Sequence, residues 1–233
     1  MTAPSLSRAA RATCALLALV AAASAPARDA QAQASAAPDP QREHPPAQQP
    51  PAYGAPGSDS QALPAVPAEL EDVRAALDKY RDWTVAVHDG YFSSVGCVTY
   101  PAAGGAGRVP YVAGGMGVHF LNPASIGSEL DPARPQILIY EPTGDGLRLA
   151  AAEWFVPLAT GVTARPALFG RDFDGPMEGH HPLMPGELHH YDLHVWLWKE
   201  NPAGVFSPTN PALRCPAGAT TIQEEAPRIV SHP

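Results

Sequence analysis

The chain has 233 residues and a formal net charge of −8, with 15 Lys and Arg against 23 Asp and Glu. That balance leaves no basic surplus for a nucleic-acid footprint, three Cys are too few for a disulfide-dense scaffold, and no apolar run reaches the roughly 18 residues of a membrane span. Hydrophobic residues make up 45 %, a normal share for a folded protein, while 28 Pro and 20 Gly call for many stiff or tight loops.

Residues 1–34 read as a secretory signal peptide. Arg8 and Arg11 supply the positive start, and Cys14 to Ala23 is an apolar run of signal-peptide length. Two overlapping small-x-small cleavage sites end at Ala32 and Ala34. The competing reading is an N-terminal anchor helix. Cleavage after Ala34 removes three Arg and one Asp and leaves a charge of −10. An exported chain, periplasmic or secreted, follows as the expectation, with no integral span once the leader is gone. Cys97 and Cys215 are then the remaining cysteines, most simply one disulfide. A pair of soft-metal ligands is the alternative, without the CxxC spacing that would favour it.

Residues 35–67 carry nine Pro among Ala, Gln, Ser and Asp. This composition cannot bury a core and predicts a disordered linker. A single domain is expected over 68–216, followed by a tail over 217–233. It opens with an amphipathic helix from Ala68 to about His88, in which Leu70, Val73, Leu77, Tyr80, Thr84 and Val87 recur at three- and four-residue steps. Acidic Glu69, Glu71 and Asp72 suit its N-terminal turn.

Strands follow. Val98–Tyr100 is short, and the stronger candidates are 117–122, 136–141, 147–156 and 190–199, each bounded by Gly, Pro, Asn or Asp. Thr143-Gly144-Asp145-Gly146 predicts a hairpin between the second and third of these. Gly114-Gly115-Met116-Gly117 reads as a turn or bulge, and Asp172 and Asp174 as a turn. The predicted class is α+β: the helix packed on a curved antiparallel sheet of about four to six strands.

Side chains alternate between the faces of a strand. His119 shares a face with Leu121, Glu141 with Ile137 and Ile139, and Glu153 with Ala151 and Phe155. On the last strand His190, Asp192, His194, Trp196 and Trp198 share one face. A carboxylate in an apolar stripe is costly unless paired or bound to a cation. If the sheet curves, His119, Glu153 and His194 converge as a set that suits Zn, Fe or Mn. Glu141 and His88 are further ligand candidates, and Trp196 and Trp198 candidate cavity walls. The bland alternative is a set of fixed polar pairs within the core. Met177, His180, His181 and Met184 form a second cluster in a loop, suited to Cu, beside the plainer reading of incidental His in a Pro-rich loop. HExxH, CxxCH, GxGxxG, GxxxxGKS and GxSxG are all missing from the sequence.

The stretches GVHFLNP, ILIYEP, EWFVP, FDGPM and above all YDLHVWLWKENPAG are similar to a group of uncharacterised exported bacterial proteins. The resemblance covers about residues 70–216. It implies export and one folded domain, and it implies no chemistry. Three functions stand open: binding of a metal ion or small ligand in the His/Glu/Trp cavity, a structural or interaction role without ligand, and a metal-dependent enzyme of unspecified reaction.

Overall fold

The computed structural model describes residues 62–180, 183–218 and 220–231. The expected leader, and the expected linker up to residue 61, lie outside them. Residues 62–67 are held in place at their docked end, because Arg74 Nη1 donates to the Pro64 carbonyl at 2.6 Å. Among the described residues no helix is long and apolar enough to cross a membrane.

The expected single helix is two. α1 spans Ala68–Leu77 and buries Leu70, Val73 and Leu77. A 3-10 turn over Asp78–Arg81 interrupts it, and α2 spans Trp83–His88. Asp82 causes the restart: its backbone is extended and its side chain accepts from Thr84 N at 2.9 Å, an N-cap. The interruption rotates the apolar stripe, so Ala86 is buried while Thr84 and Val87 face solvent.

The strands are β1 Cys97–Tyr100, β2 Gly104–Ala106, β3 Val109–Tyr111, β4 Gly114–Leu121, β5 Ile137–Thr143, β6 Gly146–Pro157, β7 Ala167–Leu168, β8 Arg171–Asp172, β9 Asp174–Met177, β10 His190–Val195 and β11 Thr221–Gln223. Asp172 and Asp174, expected in a turn, lie in β8 and β9. β2 pairs with β3 and β7 with β8 as small ribbons. The other seven form one sheet in the order β11-β1-β4-β5-β6-β10-β9. β11 runs parallel to β1 and the remaining pairs are antiparallel. The sheet is therefore mixed and larger than the four to six antiparallel strands expected, while few helices beside one sheet fit the α+β class. The β5–β6 hairpin closes at Thr143 and Gly146 as its turn residues predicted.

The sheet curls into a half-barrel, and the segment after β11 reaches the opposite edge. Ile229 bridges Met177 of β9, and Val230 N donates to the Pro176 carbonyl at 2.9 Å. The segment expected to be a tail thus pairs with β1 through β11 and then reaches the opposite edge. The Cys97–Cys215 disulfide, with Cα atoms 5.5 Å apart, ties β1 to the approach of that segment.

Residues directly opposite on paired strands share a face. Phe120, Leu138, Ala152 and Val195 share one face, packed in the main core with the helices. Tyr140 donates from its hydroxyl to the Tyr80 carbonyl at 2.8 Å on that side. The other face carries His119 opposite Ile139, and Glu153 between Ile137 and His194. Two glycines let strands approach there. Gly117, at φ +89, lies where the β1–β4 register shifts, and a Cβ would sit 2.7 Å from the Tyr140 carbonyl oxygen. Gly175, at φ +101, would press a Cβ to 2.7 Å from the His190 carbonyl oxygen.

Candidate metal centre

Strand pairing puts Glu153 of β6 directly across from His194 of β10. His119 comes from β4, with β5 lying between it and β6. The curl closes that gap. Glu153 Oε2 lies 3.4 Å from His194 Nε2 and 3.6 Å from His119 Nε2. The two imidazole rings meet nearly edge to face, at 83°. An ion held by bonds of 2.0–2.2 Å in tetrahedral geometry has ligand atoms about 3.3–3.6 Å apart. The two measured separations match that edge length.

A second group adjoins it. His180, His190 and Asp192 offer ligand atoms that all lie within 4.8 Å of one another, as do those of the first group. His190 Nε2 lies 3.4 Å from Asp192 Oδ2, and Asp192 Oδ1 faces His194 Nδ1 at 3.9 Å. His180 Nδ1 meets the Tyr100 hydroxyl at 2.9 Å and Glu224 Oε2 at 3.4 Å.

All of these groups are buried. None of His119, Glu153, His180, His190, Asp192, His194 and Glu224 is more than 6 % exposed. Among the described residues, the buried side-chain atoms without a hydrogen-bond partner are His119 Nδ1, Glu153 Oε2, His180 Nε2, His190 Nε2, Asp192 Oδ1, both nitrogens of His194, and Glu224 Oε1. Every one belongs to this cluster. Folded proteins keep few such atoms, because each costs about 1–3 kcal/mol. Their concentration in one place fits a cation that the lone pairs face.

Burial, with His194 and His180 nearby, pushes the His119 imidazole down to about 3. Burial pushes His194 down to about 4 against the pull of Asp192. Both rings are therefore neutral at pH 7, the state a metal ligand requires. Burial and the Asp192 charge push the Glu153 carboxyl well above its usual range. Burial also acts to raise Asp192, but the imidazoles of His190, His194 and His180 outweigh it and hold Asp192 below the usual carboxylate range. Burial, then Asp192, pushes Asp174, its partner across β9, up to about 7.

The other expected ligands lie elsewhere. His88 is exposed at the end of α2, 3.3 Å from Asp89 Oδ1. Glu141 accepts from Arg214 N at 3.2 Å and pairs with Lys199 Nζ at 3.0 Å. Trp196 donates to the Ser207 carbonyl at 2.7 Å, and Trp198 to Asp78 Oδ1 at 3.2 Å on the helical side. Of the described members of the Met/His cluster, only His180 joins the candidate ligand groups. Met177 Sδ accepts from the Tyr111 hydroxyl at 3.6 Å, Met184 is half-buried among core residues, and His181 lies outside the described residues. The alternation His190-x-Asp192-x-His194 placed all three on one face in the sequence, yet only His194 stood among the ligand candidates. Tyr100 and Glu224 carried no such signal, because contacts between distant edges bring them in.

Comparison with family models, curated proteins and solved structures finds no match.

Proposed function

We propose that this is an exported protein that binds a divalent transition-metal ion through His119, Glu153 and His194. The observation that carries the reading is the approach of Glu153 Oε2 to two imidazole Nε2 atoms at 3.4 and 3.6 Å, inside a buried cluster of unpartnered polar atoms. Two imidazoles and one carboxylate suit Zn, Fe or Mn, and Cu among the stronger binders. The burial of all three side chains favours binding over turnover, since a catalytic ion keeps a position open to substrate. Export is supported by the leader-like residues 1–34 and by the disulfide, a bond of oxidising compartments.

Metal analysis of chelator-treated protein, dialysed singly against Zn, Cu, Fe or Mn, tests the reading. A retained ion that raises the unfolding temperature, with metal content falling by one equivalent in His119→Gln and in His194→Gln, is the expected result. No retained metal and no thermal shift with any of the four would overturn it.

A further inference from the structure

The second group of side chains carries its own argument, made from hydrogen-bond roles. His190 Nδ1 lies 3.1 Å from the Leu188 carbonyl oxygen. A carbonyl oxygen only accepts, so Nδ1 carries a proton, and in the neutral tautomer Nε2 is bare. That bare nitrogen faces the Asp192 carboxylate at 3.4 Å. Two lone pairs pointed at each other in a dry interior repel unless a positive charge lies between them.

His180 is fixed in the same sense. The Tyr100 hydroxyl has one proton, which it donates to Glu224 Oε2 at 3.1 Å. Its contact with His180 Nδ1 at 2.9 Å is therefore one in which the phenol oxygen accepts and Nδ1 carries the proton. His180 Nε2 is left bare, buried and without a partner. A ligand imidazole is commonly oriented in this way, its second nitrogen donating to a carbonyl, a carboxylate or another acceptor. Both histidines present the ligating nitrogen, and both have the other nitrogen anchored.

We propose that His180, His190 and Asp192 hold a second divalent transition-metal ion, so that the chain carries a two-ion centre. The proposal rests on the reading of His119, Glu153 and His194 as the first site. Asp192 links the two: Oδ2 belongs with His190 at the second ion, while Oδ1 faces Nδ1 of His194, whose Nε2 serves the first. Glu224 and Tyr100 stand behind His180 as its orienting groups. The ion class is the same in both sites, a borderline cation that accepts imidazole and carboxylate together.

The test is Zn²⁺ titration of chelator-treated protein, with bound metal counted per chain. Two equivalents are expected for the parent chain and one for His180→Gln, which keeps the first site. His119→Gln is likewise expected to lose one equivalent and keep the other. Tyr100→Phe retains the fold-forming ring and is expected to weaken the second equivalent about tenfold with the first unchanged. One equivalent in the parent chain, lost in His119→Gln and retained in His180→Gln, overturns the second site and leaves the first standing. That is the outcome for a metal-free ion pair between protonated His190 and Asp192. Two equivalents that both survive His180→Gln and Tyr100→Phe also overturn it, and no bound metal in any chain overturns both sites.

Discussion

His194 and Glu153 stand directly opposite each other on β10 and β6, with Nε2 and Oε2 3.4 Å apart and neither atom in a hydrogen bond. Ordinary polar core pairs close such gaps by sharing a proton. Here the ring is neutral and His119 approaches the same oxygen from β4, so the three atoms enclose a point rather than form a chain. The enclosed point is where the proposed cation would sit.

Loading that point should stabilise the fold by mass action. A free-ion concentration of 100 times Kd contributes about 2.7 kcal/mol, and a domain of this size gains roughly 2–4 °C per kcal/mol. Calorimetry with and without chelator is expected to show that difference for the parent chain. His194→Gln should remove the share of it that this ion contributes, and the metal-free variant should unfold within a few degrees of the metal-free parent.

Truncation after Pro216 removes β11 and the Ile229 bridge to β9, along with Glu224. The curl then loses its closing segment, and His180 loses one orienting carboxylate. A drop in the urea midpoint is expected, along with weaker metal binding. A truncated chain with the parent midpoint and full metal content would show that the segment only decorates the fold.

The Cys97–Cys215 disulfide closes a loop with a sequence separation of 118. On the chain-entropy model a loop of that length stabilises by about 4–5 kcal/mol. The Cys97→Ala/Cys215→Ala double variant is expected to lose several kcal/mol in denaturant unfolding. A loss below about 1 kcal/mol would mean that sheet pairing alone restrains the unfolded ends.

Strand alternation in the sequence assigned His119, Glu153 and His194 to faces, and that much of the site was legible. Alternation reports a face and not a distance. Glu141 shares its face with Ile139, the partner of His119, but lies two residues further along β5, a step of roughly 7 Å. There Lys199 neutralises it and the Arg214 backbone N–H donates to it. The curl was legible only as a possibility, since it depends on β9 and a C-terminal segment whose short strands have weak patterns. The broken helix had a local signal in Asp82-Trp83-Thr84, an N-cap residue inside an amphipathic run. His180 reached the site through an edge-to-edge contact that no local pattern encodes.

Glu153→Gln gives the sharpest pH-dependent test. Burial, with the Asp192 charge, raises the Glu153 carboxyl well above its ordinary value of 4.5. In metal-free protein the folded state therefore keeps this proton at pH values where the unfolded chain has released it. The unfolded state then binds fewer protons, so this group makes stability fall as pH rises above about 4.5. The slope is about 1.4 kcal/mol per pH unit for one proton. His119 and His194 act in the opposite direction below about 6.5, because they stay neutral when folded and protonate when unfolded, but they do so in parent and variant alike. The difference between the two chains therefore isolates Glu153. Without metal, Glu153→Gln is expected to be the more stable chain at neutral pH, with an advantage that grows from pH 4.5 to 6.5. With metal the order reverses, since an amide cannot supply the anionic ligand. Urea unfolding of both chains across that range, with and without chelator, measures the crossing. A variant less stable than the parent at every pH in the metal-free state would mean that Glu153 is ionised and paired with a charged imidazole, and that the cluster is a fixed set of core ion pairs.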